Sequence, residues 1–204
     1  MFDPFGNAVH AAQAFPLRDQ TIAISGAGPI GLMTIPVALH LGARHVVVTE
    51  PSHYRRELAH RQGATLVRGA GQEKLAAALA ELGRPDGFDV GLEMSGNPTA
   101  LRDLLARMTH GGRVAVLGLP DRAVPTDWAD IALRMLTVQG ISGRRIFHTW
   151  HQMATLLDTG IDPAAVVTHH FDPVDHDKAF AHAAQASAGK TILDWAVTSE
   201  RVSS

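Results

Sequence analysis

A glycine-rich turn is the feature of this sequence with the clearest chemistry. Gly26, Gly28 and Gly31 fit the pattern G-x-G-x-x-G between a short β-branched run and a helical pattern. In that context the first glycine permits a tight turn, the second lets the backbone approach a pyrophosphate, and the third lets the helix pack on the strand. The amino terminus of the helix offers unpaired N–H groups to phosphates. The pattern therefore predicts a dinucleotide-binding turn.

An acidic residue at the end of the next predicted strand supports this interpretation. Glu50 lies about twenty residues beyond the turn, where a carboxylate can accept hydrogen bonds from both hydroxyls of an adenosine ribose and repel a 2′-phosphate. This favours NAD over NADP. Arg55 either lies along the adenosine or tolerates such a phosphate. The simpler alternative is a tight strand-to-helix turn followed by an ordinary solvated glutamate.

Alternating strand and helix patterns must position these residues. The runs predicted as strands are residues 21–25, 45–49, 65–67, 88–93, 113–117 and 136–141. Helical patterns separate them, one of them over residues 99–108, which predicts right-handed crossovers and an α/β fold with a doubly wound parallel sheet of the Rossmann type. Pro36 falls inside the first of these helices, where proline costs about 3 kcal/mol, so we expect a kink there.

The two ends of the chain fit this pattern less well. Residues 1–15 carry an isolated helical pattern, and residues 161–204 add two strands that flank an alanine-rich helix. We interpret residues 16–160 as the nucleotide-binding domain and both ends as short remnants of a second lobe. If that lobe is missing, Phe2, Phe5 and Val9 should present apolar surface to solvent.

Composition limits the other classes of function. The 204 residues are 46% apolar and 19% charged, with a formal net charge of −2 and mixed signs, so nothing predicts binding to nucleic acid or to an anionic membrane. No apolar run is long enough to span a bilayer. The absence of cysteine excludes disulfides and thiolate-bound zinc in this chain, and it fits a cytoplasmic protein.

The spacing of the histidines and of the single tyrosine argues against a metal site and against a short-chain dehydrogenase. His148 and His151 could share one helical face, yet no third ligand accompanies them, so we expect no metal site in this chain. His10 either faces a cofactor cleft or packs at a helix interface. A short-chain dehydrogenase needs a Tyr-x-x-x-Lys pair, but the single tyrosine, Tyr54, is followed four residues later by Leu58.

Several segments, in the same order, resemble a known family. Residues 2–10, 26–31, 88–96, 111–113 and 117–120 are similar to the corresponding segments of the zinc-dependent L-threonine 3-dehydrogenases, a branch of the medium-chain dehydrogenases. The glycine pattern is generic to medium-chain dehydrogenases, whereas the opening segment together with Glu-Met-Ser-Gly at residues 93–96 is more specific. The resemblance covers essentially the whole chain.

The resemblance implies two groups of contacts to NAD. The contacts to the adenosine and the pyrophosphate would be made by Ile30, Glu50 and Arg55. The contacts around the nicotinamide would be made by Leu117, Gly118 and Leu119, with Ile141 and Ser142 close by. Ligands of doubly wound sheets lie outside the carboxyl ends of the strands, which agrees with these positions.

The resemblance also implies a zinc ion that this chain does not hold. In the family, a cysteine, a histidine and a glutamate of a GroES-like amino-terminal lobe bind the catalytic zinc, and four cysteines bind a second one. We expect the chain to be a fragment that lacks this lobe, and zinc only in the missing part. Asp3 matches a carboxylate that assists proton relay beside the zinc; alternatively, it starts the first helix.

The family's activity is NAD-dependent oxidation of L-threonine to 2-amino-3-oxobutanoate, a step of threonine catabolism. The resemblance implies that this chain supplies the NAD-binding part of such an enzyme. Two alternatives stay open: a non-catalytic NAD-binding fragment, and a zinc-dependent dehydrogenase of another secondary alcohol. Family members form tetramers through the cofactor domain, so we expect a homo-oligomer, with residues 138–141 as a candidate edge for pairing.

Overall fold

The β-branched runs of the middle part of the chain form one parallel sheet. The computed structural model describes residues 1–185 and 187–195. In this part the sheet has six strands, which are β1 (Thr21–Ser25), β2 (His45–Thr49), β3 (Leu66–Arg68), β4 (Phe88–Glu93), β5 (Met108–Val116) and β6 (Thr137–Gly140). Every pair of neighbours is parallel, and the order is β3-β2-β1-β4-β5-β6.

Helices cover both faces of this sheet. They are α1 (Phe2–Ala12), α2 (Pro29–His40), α3 (His53–Arg61), α4 (Gln72–Glu81), α5 (Pro98–Leu105), α6 (Trp128–Leu133) and α7 (Ile146–Asp158). Two apolar cores result, one on each side of the central strands. The strand order reverses between β1 and β4, and this confirms the predicted doubly wound Rossmann sheet.

The boundary between α5 and β5 differs from the sequence prediction. The helix ends at Leu105 rather than at Met108, and the strand begins at Met108 rather than at Arg113. Gly111, which has a positive φ of 72°, lies inside the strand instead of in a turn before it. The pairing of β4 with β5 shifts register in this region, so the strand absorbs the glycine pair as an irregularity.

The first helix packs into the apolar core on one side of the six-stranded sheet. Phe5 and Val9 are completely buried in the same apolar cluster as the core of α2, whereas Phe2 is 62% exposed. The expectation of exposed apolar surface was therefore wrong for Phe5 and Val9 and right for Phe2. The physical reason is that α1 packs one face against α2 and α7, and only its first turn projects beyond them.

Helix α2 runs from Pro29 to His40 and continues through Pro36. Proline removes one backbone N–H from the helix and crowds the carbonyl four residues earlier. The neighbours Ile35, Val37 and Ala38 are completely buried. Burial of these neighbours therefore offsets the cost of the proline, and the helix continues past Pro36 to His40. The kink at Pro36 stays a prediction.

The last described strands form a separate two-stranded sheet. β7 (Val167–Phe171) and β8 (Lys190–Leu193) pair in parallel, and α8 (His176–Ala183) connects them. This agrees with the two strands flanking an alanine-rich helix that the sequence predicts. Residue 186 and residues 196–204, which include the end of the predicted carboxyl-terminal segment, lie outside the described residues. The assignment of these ends to a second lobe stays a prediction.

Candidate functional site

A cavity of about 600 Å³ opens at the carboxyl ends of β1, β2, β3 and β4, beside the point where the strand order reverses. Such a point is where doubly wound sheets bind ligands, because the loops after neighbouring strands diverge there. The walls of the cavity are formed by Gly26, Gly28, Thr49, Glu50, Pro51, Arg55, Ala70, Gly71, Met94, Ser95, Asn97, Thr99, Ala100 and Asp103.

The three glycines of the turn meet different surroundings. Gly26 has a positive φ of 96°, and a Cβ there would approach Ser95 Cα to 2.9 Å. A Cβ on Gly28 would meet no atom within 4 Å, so the backbone there borders open space. A Cβ on Gly31 would collide with the carbonyl oxygen of Gly26. The first and third glycines are thus needed to form the turn, and the second leaves room for a ligand.

The amino terminus of α2 borders this space through its N-cap residue. Gly28 is the N-cap residue and supplies no side-chain acceptor, and Pro29 follows at the first helical position. The N–H groups of the next residues, Ile30 and Gly31, have no acceptor inside the helix, because a helix leaves the donors of its first turn unpaired. This geometry, with the helix dipole, suits a phosphate.

Glu50 connects the glycine turn to the end of β2. Its side chain is 4% exposed; Oε2 accepts from the N–H of Ala27 at 2.8 Å, and Oε1 accepts from the N–H of Ser52 at 2.9 Å. Each carboxylate oxygen keeps a second acceptor site for a ligand. The carboxylate is therefore fixed at both oxygens at the edge of the cavity and does not behave as an ordinary solvated glutamate.

Two arginines next to Glu50 donate to backbone carbonyls. Arg55 Nε donates to the carbonyl of Ala188 at 2.9 Å, and Arg55 also lines the cavity. One terminal nitrogen of Arg56 donates to the carbonyls of Glu50 and Pro51, at 2.9 and 2.6 Å. The guanidinium of Arg56 thus fixes the backbone of the β2–α3 loop, and the guanidinium of Arg55 joins α3 to the segment before β8.

The residues expected around a nicotinamide follow the carboxyl ends of β5 and β6 and lie outside the cavity walls. Leu117 and Gly118 donate their N–H groups to the carbonyl of Glu93 at 2.9 and 3.0 Å, and Leu119 is exposed. Ile141 is buried and donates to the carbonyl of Val116, and Ser142 is exposed. The structure thus groups Gly26, Gly28, Glu50 and Arg55 in one cavity, and places the second group beside it.

Asp3 lies in the first turn of α1, but it does not cap that helix. The N-cap residue is Met1, and the helix end has no side-chain capping bond. The Asp3 carboxylate instead forms an ion pair with Arg144, which lies between β6 and α7. The alternative in which Asp3 starts the helix as its cap is therefore wrong, because the helix begins at Phe2 and its N-cap residue is Met1.

His10 lies in the last turn of α1 and does not line the cavity. Partial burial lowers the pKa of His10, and the positive charges of Arg145 and His148 lower it further. Its surroundings are those of a histidine at a helix interface, one of the two readings that the sequence left open.

Some wall residues were not identified from the sequence. Ala70 and Gly71 come from the loop after β3, and Asn97 and Asp103 come from the loop after β4 and from α5. Asn97 precedes Pro98 and accepts from the N–H groups of Thr99 and Ala100, so an Asn-Pro helix start was a usable signal. The others carry no chemical signature, since only the sheet order brings their loops to the cavity.

The described residues do not fit a zinc ion. The chain contains no cysteine, and residues 1–185 and 187–195 hold no cluster of three or more histidine, aspartate or glutamate side chains that could bind a metal. No helix in the same part of the chain is long and apolar enough to cross a membrane. The chemistry available here is that of the glycine turn, the carboxylate of Glu50 and the neighbouring loops.

Comparison with known proteins gives one family. Residues 29–159 match the family described as zinc-binding dehydrogenase, which is more than half of the chain. Over 195 residues the chain is 53% identical to the L-threonine 3-dehydrogenase of Streptomyces coelicolor, an alignment that covers 96% of this chain and 57% of the relative. The chain thus spans little more than half the length of such relatives.

Solved structures share the fold over the same region. The alcohol dehydrogenase TADH from Thermus sp. ATN1 is 27% identical with a TM-score of 0.85, covering 94% of this chain and 56% of that chain. A zinc-binding dehydrogenase from Sinorhizobium meliloti, bound to NADP, is 25% identical with a TM-score of 0.83, covering 94% of this chain and 57% of that chain.

Proposed function

Because the chain belongs to the zinc-binding dehydrogenase family, we propose that it supplies the NAD-binding part of an enzyme that oxidises L-threonine to 2-amino-3-oxobutanoate. The observation that carries the cofactor assignment is the Glu50 carboxylate, fixed at the edge of an open cavity beside a helix amino terminus. The substrate assignment is supported by the name of the 53% identical relative.

The position of Glu50 supports NAD rather than NADP. Its two oxygens are held by the N–H groups of Ala27 and Ser52, so the carboxylate cannot turn away from a 2′-phosphate. Two like charges about 4 Å apart repel by about 4 kcal/mol at an effective dielectric constant of about 20. The Nε of Arg55 donates to the carbonyl of Ala188, which ties its guanidinium to the segment before β8 and supports the interpretation in which Arg55 lies along the adenosine.

Hydrogen-bond donors of the glycine turn and α2 would hold the pyrophosphate, with Gly28 as the point of closest approach and the first turn, including Ile30 and Gly31, as donors. The nicotinamide, which accepts the hydride when bound, would lie beside the loops after β5 and β6. There Leu117, Leu119 and Ile141 offer apolar surface that orients the ring and excludes water.

We place Gly118 and Ser142 in the same nicotinamide-side group, because they lie in those two loops. Asp3 is proposed as the proton relay of the complete enzyme. Its exposed carboxylate lies at the start of α1, and its ion pair with Arg144 holds it against the loop that follows β6. A relay group needs an ionisable side chain that is accessible and fixed, and Asp3 meets both conditions.

An activity test separates catalysis from cofactor binding. The chain is incubated with NAD⁺ and L-threonine in the presence of Zn²⁺, alone and fused behind the part of the Streptomyces coelicolor relative that the alignment leaves uncovered. We expect threonine-dependent formation of NADH, followed by absorbance, from the fusion and not from the chain alone, because the described residues hold no cluster of three or more side chains that could bind zinc. The fusion carrying Glu50→Ala serves as a control and should need more NAD⁺.

Two outcomes of this test would contradict L-threonine oxidation and would each support an alternative function. A fusion that oxidises a secondary alcohol such as 2,3-butanediol, but not L-threonine, would make the protein a dehydrogenase of another alcohol. A folded fusion that binds zinc and NADH and oxidises neither substrate would make the chain a binding module without catalysis.

The partners we propose are a small-molecule substrate and further copies of the same chain. Strand β6 forms one edge of the sheet, and its four residues are all exposed. An exposed edge strand can pair with the same strand of another copy. We also propose a cytoplasmic location, which the cysteine-free composition supports.

A further inference from the structure

The central strand β4 ends in a buried glutamate, Glu93, that does not line the cavity. Glu93 is 1% exposed, and one of its carboxylate oxygens accepts from both the N–H and the hydroxyl of Ser95, the N–H contact being 2.9 Å. The other oxygen accepts from the N–H of Gly96 at 3.2 Å. Within residues 1–185 and 187–195 the structure records no ion pair of this carboxylate with a cation.

The backbone of Glu93 and of the residue after it joins the ends of three strands. The carbonyl of Glu93 accepts from the N–H groups of Leu117 and Gly118, at 2.9 and 3.0 Å. The N–H of the following residue, Met94, donates to the carbonyl of Ser25 at 2.9 Å. Glu93 is thus bonded to the loop after β4 through its side chain, and to the loop after β5 through its backbone.

Glycines bring these loops into direct contact. A Cβ on Gly118 would lie 2.5 Å from Glu93 Oε2, and a Cβ on Gly96, whose φ is 68°, would lie 2.6 Å from the carbonyl oxygen of Leu119. A Cβ on Gly26 of the glycine turn would lie 2.9 Å from Ser95 Cα. At these glycines the loops after β4 and β5 are in close contact beside the Glu93 carboxylate, so a displacement of that carboxylate should move both loops.

Burial of a carboxylate is costly unless hydrogen bonds replace its hydration. An apolar residue at this position would stabilise the core at lower cost. Among the described residues, the side-chain hydrogen bonds of Glu93 go to the loop at the ligand end of the sheet, and none goes to the interior of the sheet. This distribution is that of a group that shapes the loops.

We propose that Glu93 is a positioning residue for the nicotinamide half of the cofactor: it fixes the turn at Ser95 and Gly96 against Gly118. It acts through these loops and does not touch the reacting atoms. The inference rests on the proposed function, because it needs a dinucleotide in the cavity. The adenosine half depends on Glu50 and the glycine turn, which are not hydrogen-bonded to the Glu93 side chain.

The test compares a ligand that fills both halves of the site with one that fills the adenosine half only. The full chain is titrated with NADH and with 5′-AMP, as wild type and as Glu93→Gln. Glutamine has the size of glutamate, but its NH₂ group would face N–H donors. We expect the Kd for NADH to rise about tenfold, or about 1.4 kcal/mol, and the Kd for AMP to change less than about twofold. The emission maximum of bound NADH, which reports the nicotinamide surroundings, should also shift.

A matched control lies on the same strand. Asp89, at the amino end of β4, accepts from the N–H of Thr21 and from Arg84. Asp89→Asn should lower stability without changing the ratio of the two Kd values. If Glu93→Gln leaves that ratio unchanged, or if Asp89→Asn changes it equally, the positioning role is refuted.

A milder variant keeps the test decisive if Glu93→Gln does not fold. Ser95→Ala removes the hydroxyl bond to Glu93, together with the acceptor of the Asn97 N–H, and leaves the backbone donors to Glu93 in place. The expected result is a two- to threefold change of the same ratio, and no change would overturn the proposal. Wild-type chain that binds neither NADH nor AMP would refute the proposed function instead, which separates the two failures.

Discussion

Gly28 and Gly31 lie three residues apart, yet a side chain would meet different surroundings at each. At Gly31 a Cβ would strike the carbonyl of Gly26, whereas at Gly28 it would enter open space. Gly31→Ala should therefore lower the free energy of unfolding by about 1–3 kcal/mol. Gly28→Ala should lower it by less than about 1 kcal/mol, but should weaken NADH binding at least tenfold, because the methyl group occupies the place of the pyrophosphate.

Urea unfolding and NADH titration of the two alanine variants check this difference. The interpretation of the turn is contradicted if Gly28→Ala binds NADH as well as the wild type does. It is also contradicted if the two variants lose stability equally.

The lowered pKa of His10 makes a prediction about stability and pH. Because partial burial, Arg145 and His148 disfavour the charged form, the unfolded chain binds this proton more readily than the folded chain does. The contribution of His10 to stability is complete above about pH 6.5. It is lost as the pH falls from there towards the lower pKa of the folded chain.

The urea midpoint should thus decrease between pH 7.5 and pH 5.5, and His10→Gln should make that decrease smaller. His151→Gln, on the exposed side of α7, is the matched control and should leave the pH dependence as it is. An unchanged pH dependence in His10→Gln would show that this histidine does not contribute to it.

Helix α1 offers a direct comparison between two phenylalanines of the same element. Phe5 is completely buried in the main core and Phe2 projects from the first turn. We expect Phe5→Ala to cost about 3–5 kcal/mol and Phe2→Ala less than about 0.5 kcal/mol, measured by urea unfolding. A small effect of Phe5→Ala would mean that α1 is not part of this core in solution.

The central elements could be predicted from the sequence to the residue. Strands β1, β2 and β4 begin and end where their apolar runs do, because each is buried on both faces and is bounded by turn residues. The start of β5 could not be predicted, since the glycine pair at residues 111–112 is typical of a turn and only the pairing with β4 makes it part of a strand.

The candidate site, too, contains some residues that the sequence predicts and others that it does not. The glycines and Glu50 were predictable because they occur at fixed spacing within one strand–helix–strand unit. Gly71 and Asp103 were not, because only the order of the strands brings their loops to the cavity. The burial of α1 was missed for the same reason: its partner α7 is far away in the sequence.

The assembly of the protein is expected to depend on the exposed edge of its sheet. Val138 lies in the middle of β6, and a lysine there would oppose pairing with a second copy. Val138→Lys should reduce the mass measured by light scattering after gel filtration. Phe180→Lys, at an exposed position of α8, is the control and should not. An unchanged mass of the Val138 variant would exclude this edge as the interface.

The central claim, that this chain is an NAD-binding domain whose specificity depends on Glu50, is tested most directly by titration with NADH and with NADPH. The titrations use the wild type, Glu50→Ala and, as a control on the exposed side of α3, Glu57→Ala. The account predicts saturable binding of NADH, at least tenfold weaker binding of NADPH, and a large loss of this preference in Glu50→Ala only. Equal affinity of the wild-type chain for both cofactors, or a preference that survives Glu50→Ala, would contradict it.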